Sequence, residues 1–259
     1  MSEKTYYYPL GDDRTKKYHY PISKFIRMIG RNIICHGYKV EGAENIPAEP
    51  AIFAANHAKL VGPMAMEVCH KRSYRVWSVS RMLEPTDFSN HIVTNVFPNI
   101  KGFGRKALYG LAVALSYPFT RLMLSYEPIP VYKDTRILNT FRKSAQTICE
   151  GKDIVLFPEC KDRAEGYNYV NQVVGGVAIT ARECLKTSKK PISIVPVYVC
   201  QSLKKVVYCK PIVVENVANF KAQTATIIEH IMNEIEGAGK ALPPHRITPY
   251  DNTYKNDNK

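Results

Sequence analysis

Short apolar runs alternate along the chain with longer stretches in which apolar residues recur at helical spacing. Several of the runs are apolar on both faces, as central strands covered by helices are. Strands are predicted at 51–55, 74–80, 128–132, 153–157, 191–199 and 205–210, and helices at 61–71, 104–124, 136–150, 171–187 and 219–236. This alternation predicts an α/β fold, a single domain whose mixed or mostly parallel central sheet is flanked by helices.

The two ends of the chain differ from this domain, which we place at residues 21–236. Residues 1–20 form a mobile, Tyr-rich basic arm without an apolar signal core, so we do not expect export. Residues 237–259 are rich in Gly, Pro, Asn and charged residues, and we expect a disordered tail there.

Residues 21–36 predict an N-terminal amphipathic helix. Its apolar stripe consists of Ile22, Phe25, Ile26, Ile29 and Ile33, and Lys24, Arg27 and Arg31 fall largely outside that stripe. Two interpretations stand. A helix with a basic face is what an in-plane membrane anchor requires, but a helix packed on the core with solvated basic residues gives the same pattern.

A second apolar segment covers residues 107–119. It is shorter than the 18 residues of a spanning helix and contains Pro118, so it does not predict a transmembrane segment. Its pattern favours a buried core helix, with an interfacial segment as the alternative.

Charge and cysteine content narrow the class of protein. The chain has 36 Lys and Arg against 23 Asp and Glu, a net charge of +13, which favours an anionic partner such as a lipid surface or an acidic carrier protein. No nucleic-acid-binding motif accompanies this charge, so we expect no nucleic acid partner. The seven Cys include no Cys-x-x-Cys pair, which predicts reduced thiols in a cytosolic protein. We also expect no metal and no cofactor.

The candidate chemistry lies where predicted strands end. Asn56 and His57 follow the strand 51–55 and precede a helix, whose positive N-terminal end favours a neutral, proton-accepting imidazole. Taken alone, however, the pair is more typical of a structural histidine that caps a turn.

The strand 153–157 runs into Pro158, Glu159 and a charged cluster. Lys161 and Arg163 could hold a phosphate, and Glu159 could orient a hydroxyl or an amine, although a solvated loop has the same composition. A third strand, 128–132, is followed by Lys133, and a fourth, 191–199, contains Pro196.

In order and spacing, these four segments resemble the glycerolipid acyltransferase family, of the 1-acylglycerol-3-phosphate acyltransferase type. The resemblance covers roughly residues 22–236. Its motifs are Asn56-His57, Ile129-Pro130-Val131-Tyr132-Lys133, Phe157-Pro158-Glu159 and Ile194-Val195-Pro196-Val197.

The resemblance implies acyl transfer from acyl-CoA or acyl carrier protein to a lysophospholipid hydroxyl, in phospholipid biosynthesis. It implies His57 as the general base, with Asn56 and Glu159 also in the catalytic group. The substrate-binding residues would be Lys133, Pro158, Cys160, Lys161 and Arg163. The protein would be peripheral at the cytoplasmic face of an anionic membrane.

The sequence departs from the family pattern at three places. The Asp expected five residues after His57 is Gly62. The family's Gly-Thr-Arg is replaced by Cys160-Lys161-Asp162, so that an Arg, Arg163, follows one position later than in the family. Lys133 stands where the family has an Arg. Two alternatives therefore stay open: an acyltransferase with an amine or non-phosphate acceptor, and a pseudoenzyme that binds lipid or acyl carrier protein without turnover. Cys160 itself is either a small-residue substitute or an acyl-accepting nucleophile.

Overall fold

The computed structural model describes residues 36–58, 61–96, 99–160, 162 and 164–248. The predicted arm at 1–20, the predicted amphipathic helix except its last residue, and residues 249–259 lie outside this described part. Lys161 and Arg163 lie outside it as well.

The central feature of the fold is one mixed, mostly parallel sheet. Its strands are β1 (Lys39–Glu41), β2 (Ile52–Ala55), β3 (Tyr74–Val79), β4 (Ile129–Val131), β5 (Asp153–Leu156), β6 (Ile192–Cys200), β7 (Lys205–Tyr208) and β8 (Ile212–Val214). The order is β1-β7-β6-β2-β5-β3-β4, and β8 also pairs with β6. Strands β6, β2, β5, β3 and β4 run parallel, whereas β7 and β8 are antiparallel to β6. The predicted fold class is confirmed.

Six α-helices flank this sheet within the described residues. They are α1 (Val61–Cys69), α2 (Pro85–His91), α3 (Gly102–Leu124), α4 (Ile137–Cys149), α5 (Gly176–Ser188) and α6 (Phe220–Ala241). Helices α4, α5 and α6 pack on one face of the sheet with Ile52, Ala54 and Ile154, and α1 packs on the other with Phe53 and Val155. Burial on both faces explains why β2 is apolar at every position and why β5 and β6 are apolar apart from Asp153 and Ser193.

Several short or irregular elements differ from the predictions. Helix α2 and the π-helical turn Ile92–Val96 that follows it lie in a stretch without a regular apolar stripe. Strands β1 and β8 have three residues each, too few for an alternating pattern to be recognised. Helix α5 begins at Gly176 rather than at residue 171, because residues 171–174 pair with the loop that follows β5.

The C-terminal boundary of the domain also lies later than predicted. Helix α6 continues to Ala241, and the segment after it packs back on the sheet, where the Tyr198 hydroxyl and His245 Nε2 are 2.7 Å apart. The absence of a Cβ at Gly239 lets the Tyr169 ring lie against the helix, since a Cβ there would be 2.3 Å from that ring. The prediction of disorder is therefore wrong for residues 237–248.

Helix α3 overturns the interpretation of residues 107–119 as a buried core helix. Only Ala112, Ser116 and Thr120 of its residues are buried. At 23 residues, α3 is the one helix in the described part of the chain that is long and apolar enough to cross a membrane, by length and composition alone. The shorter uncharged stretch did not reveal this because the helix extends beyond it at both ends.

Candidate functional site

The parallel strands bring the predicted motifs to one edge of the sheet. Strand β2 pairs with both β5 and β6, with Ala54 opposite Leu156 and Pro196. The residues that follow β2 and β5 therefore emerge side by side, since the carboxyl ends of parallel strands meet at one edge. This edge is the candidate active site.

Glu159 joins the first and third motifs through backbone hydrogen bonds. Its Oε2 accepts the His57 N–H at 2.5 Å, and its Oε1 accepts the Asn171 N–H at 2.8 Å. Burial raises the pKa of Glu159, although both N–H bonds act in the opposite direction by stabilising its charged form. The carboxylate thus fixes the main chain at His57.

The segment that contains Asn171 braces the loop after β5. Val174 N–H donates to the Pro158 carbonyl at 2.9 Å, and Cys160 N–H donates to the Gln172 carbonyl at 2.8 Å. These antiparallel contacts hold Glu159 in place from both sides. The segment lies within the stretch 171–187 for which the sequence pattern predicted a helix, although its two adjacent Val residues favour an extended backbone.

Asn56 extends the pairing of β2 with β6 by one side chain. Its Nδ2 donates to the Val199 carbonyl at 3.2 Å, and its Oδ1 accepts the Val199 N–H at 2.6 Å. The residue is buried, and both ends of its amide are engaged with the β6 backbone. In this arrangement Asn56 positions the start of the His57 loop.

His57 lies at the boundary between this loop and the protein surface. The residue is half-buried, and its ring centroid is 5.2 Å from that of Phe157, which directly follows β5. The next residue, Ala58, turns the chain in the left-handed region at φ 41°. The His57 carbonyl then accepts the Gly62 N–H at 3.2 Å, which closes the turn into α1.

The close turn leaves no room for a side chain at position 62. A Cβ on Gly62 would be 2.2 Å from the His57 carbonyl oxygen and 2.8 Å from that of Asn56. A carboxylate at this position is therefore incompatible with the observed backbone. The tight turn accepts Gly62 and would not accept the Asp that the resemblance leads one to expect at this position.

A basic group lies near the exits of β3 and β4. Lys133 is exposed after β4, and Arg81 lies in the turn after β3. Burial lowers the pKa of His91, and the charges of Arg81 and Lys133 lower it further. Lys133 was predicted from the sequence as a substrate-binding residue, whereas its neighbours Arg81 and His91 were not predicted. Arg81 could have been found, because it follows a predicted strand just as Lys133 does.

The other predicted binding residues are only partly described. Pro158 is buried, and Cys160 is half-buried with its Sγ 3.8 Å from Asp162 Oδ2. Lys161 and Arg163 flank Asp162 outside the described residues, so their contacts stay predictions. Among the residues that the structure describes, no group of three or more His, Cys, Asp or Glu could hold a metal ion.

Comparison with known proteins gave a structural match but no sequence match. No protein-family model matches the chain, and no curated protein matches it. The fold is similar to the crystal structure of the 1-acyl-sn-glycerophosphate (LPA) acyltransferase PlsC from Thermotoga maritima. That similarity has a TM-score of 0.49 and 15% sequence identity, and it covers 91% of this chain and 86% of that one.

Proposed function

We propose that the protein is a peripheral membrane acyltransferase that moves a fatty acyl group from an acyl thioester to a lysophospholipid hydroxyl. The observation that carries this proposal is the hydrogen bond from His57 N–H to Glu159, at 2.5 Å. It joins two motifs that are far apart in the sequence, at the sheet edge where the family resemblance requires them to meet. The proposed location is the cytoplasmic face of the membrane.

In the proposed reaction, the His57 imidazole takes the proton from the acceptor hydroxyl. The oxygen then attacks the thioester carbonyl carbon, and the tetrahedral intermediate collapses by breaking the C–S bond. The sulfur leaves as a thiol after accepting the proton from the imidazolium, so that protons and charge balance. A positioned base of this kind contributes about a hundred- to ten-thousand-fold in rate.

Asn56 and Glu159 would act in this scheme by positioning His57. Both side chains are bonded to backbone, Asn56 to Val199 and Glu159 to His57 and Asn171. Lys133, Lys161 and Arg163 would bind the anionic head group of the acceptor, beside Pro158 and Cys160. The donor would be acyl-CoA or acyl carrier protein, both of which are anionic and suit a chain of net charge +13.

The direct test offers long-chain acyl-CoA and acyl carrier protein thioesters with a panel of lysophospholipids and lipid amines. We expect thiol release and a new acylated lipid to appear together. His57→Ala should lower turnover by about a hundred-fold or more. His230→Ala is a matched control, because His230 is a half-buried histidine in α6 whose ring contacts the Lys210 carbonyl outside the candidate site, and it should retain full turnover. Equal turnover in wild type and His57→Ala would contradict the proposal.

A second candidate function follows from Gly62. The turn at this residue excludes the carboxylate that the family uses to orient its histidine. This observation favours a pseudoenzyme that binds lipid or acyl carrier protein without turnover. Lipid binding by wild type and His57→Ala, with no thiol release from either across the panel, would support that alternative. Turnover with lipid amines alone would instead identify a different acceptor.

A further inference from the structure

The distribution of apolar and polar side chains on helix α3 is the reverse of that on a typical helix of a soluble protein. The side chains that it buries include the polar Ser116 and Thr120, whereas large apolar residues face outward. The exposed ones, with their exposed fractions, are Phe103 (86%), Leu111 (57%), Val113 (48%) and Leu115 (50%). Leu111 and Leu115 lie one turn apart on the same side of the helix, and an exposed apolar surface of this kind is typical of a site of contact with a partner or a membrane.

The rest of the described chain does not cover this surface. Helix α3 packs mainly against α2 and the π-helical turn after it, not against the sheet. The contact between the Phe88 and Phe119 rings, whose centroids are 4.6 Å apart, anchors the C-terminal part of α3. Within the described residues, the apolar side of α3 therefore has no covering element.

The charges around α3 favour an anionic lipid surface. Lys101, Arg105 and Lys106 lie at its beginning and Arg121 near its end, while no Asp or Glu occurs between residues 88 and 126. A second copy of this helix would bring only like charges together, whether the pair ran parallel or antiparallel. Anionic headgroups would pair with the basic residues while the apolar side chains enter the acyl region.

Topology decides how α3 meets the bilayer. Strands β3 and β4 are hydrogen-bonded neighbours, so the chain leaves the sheet before α3 and rejoins it after α3 on the same side of any membrane. A single crossing by α3 would need a second crossing between these strands. The other helical residues described in that interval, 85–96, span only about 18 Å, less than the ~30 Å hydrocarbon core.

We infer that α3 is a membrane-inserted, in-plane helix that docks the domain on an anionic bilayer. Its apolar side, centred on Leu111 and Leu115, enters the boundary between headgroups and acyl chains, and the basic residues at both ends contact lipid phosphates. Tyr109 and Tyr117, which are exposed on the same helix, have the amphipathic rings that favour this boundary. The inference adds a membrane contact to the one predicted at residues 21–36, and it does not depend on the acyl-transfer chemistry.

The first test is sedimentation of the full chain with vesicles of phosphatidylcholine and phosphatidylglycerol. Leu111→Asp/Leu115→Asp should weaken binding by about tenfold or more, because two charges then enter the apolar boundary. The matched control is Leu138→Asp/Val213→Asp, since Leu138 is as exposed as Leu111, at 57%, but lies on α4. This control should bind within about twofold of wild type.

The second test reports on α3 itself, since residues 21–36 could hold the chain on vesicles unaided. The fluorescence of Leu115→Trp, corrected for the single native Trp77, is measured in vesicles with brominated acyl chains. We expect stronger quenching by bromines near the headgroup than near the bilayer centre, and extraction of the protein by alkaline carbonate. An absence of quenching, or resistance to extraction with quenching at the centre, would overturn an in-plane helix.

The remaining outcomes separate this inference from the proposed function. Loss of vesicle binding in the double aspartate variant, with thiol release from a water-soluble short-chain donor unchanged, supports the inference. Vesicle binding by wild type without any thiol release would contradict the proposed acyl transfer but not the membrane contact of α3. The inference is wrong if wild type does not bind the vesicles and is instead a dimer that becomes monomeric in the double aspartate variant. In that case a second copy of the chain covers α3.

Discussion

The Glu159 carboxylate holds the backbone N–H of His57 at 2.5 Å, although 102 residues separate the two in sequence. This bond connects the loop after β2 to the loop after β5, and its acceptor is almost fully buried. Glu159 is therefore a positioning residue for His57. The residue that could take a proton lies on a loop whose conformation depends on a carboxylate from another motif.

The buried position of Glu159 predicts a pH dependence of stability. Burial raises its pKa above the ordinary 4.5, so the folded state keeps the proton at pH values where the unfolded chain has lost it. This contribution is fully present below pH 4.5 and is lost as the pH rises through the raised value. Urea unfolding of wild type should show that fall between mildly acidic and neutral pH, and Glu159→Gln should lack it.

The control for this measurement is Glu183→Gln, because Glu183 is exposed on α5 and pairs with Lys186 across one turn. It should keep the pH slope of wild type. A wild-type stability that instead rises with pH relative to Glu159→Gln would mean that the two N–H bonds outweigh burial. The pKa of Glu159 would then be lowered in the folded protein.

The turn at Gly62 predicts that introducing a carboxylate at this position will not create a site with an Asp five residues after His57. Gly62→Asp should destabilise the protein by about 1–3 kcal/mol or more, because its Cβ would overlap the His57 carbonyl oxygen. Thermal and urea unfolding measure the loss. Gly237→Ala is the control, since it lies on an exposed helical position where a Cβ meets nothing, and it should be neutral or stabilising. A fully stable Gly62→Asp protein with higher turnover would show that the turn can open.

The sequence predicted the sheet well because its central strands β2, β5 and β6 are covered on both faces and are apolar at nearly every position. The candidate site was predicted as far as residue identity allows, since a strand that ends in Asn-His or Phe-Pro-Glu places those residues at the carboxyl edge. What the sequence could not show was their roles. Whether Glu159 contacts a substrate or a backbone N–H depends on the antiparallel contacts of residues 171–174, which no local pattern encodes.

Helix α3 shows a second limit of sequence reasoning. An uncharged stretch in a globular protein is usually buried, and that expectation was wrong because the small and polar residues Ala112, Ser116 and Thr120 face inward. The outward direction of the leucines depends on where the helix packs, not on its composition. The sequence could show that the segment is apolar, but not which side the domain would leave uncovered.

Asp153, at the amino end of β5, is the centre of a hydrogen-bonded network at the end of the parallel strands that is remote from the candidate site. This network predicts that mutation of Asp153 will lower the stability of the protein without acting on the site. Asp153 accepts the Ala51 N–H at 2.9 Å and pairs with His70 Nε2 and Arg72, each at 2.9 Å. Asp153→Ala should lower the free energy of unfolding by about 1–3 kcal/mol or more, because the buried Ala51 N–H and the buried His70 ring nitrogen lose their hydrogen-bond partner. Asp153→Asn should cost less, since its oxygen can still accept from Ala51 and His70 can change tautomer.

Urea unfolding of both Asp153 variants measures this order. Asp162→Asn is the control, because Asp162 is exposed and should leave stability unchanged within about 0.5 kcal/mol. If Asp153→Asn is as damaging as Asp153→Ala, the negative charge itself is required. If neither variant loses stability, the network contributes nothing to the fold.

Asn56 gives the last prediction, which concerns the link between the sheet and the His57 loop. Its amide donates to the Val199 carbonyl and accepts the Val199 N–H, so Asn56→Ala leaves both of these buried backbone groups without a partner. Each such group costs about 1–3 kcal/mol, and we expect a loss of stability in that range or above. Asn56→Asp should also be destabilising, because a carboxylate faces the Val199 carbonyl where the amide donated.

Asn139→Ala controls for the removal of an amide, since Asn139 is half-buried in the first turn of α4 and alanine is a good helix former. It should be neutral or slightly stabilising in urea unfolding. If Asn56 acts only through the loop, the turnover of Asn56→Ala should fall while its pH–rate profile keeps the wild-type midpoint. A shifted midpoint would mean that Asn56 contacts the imidazole or the substrate directly, and its role would then be catalytic rather than positioning.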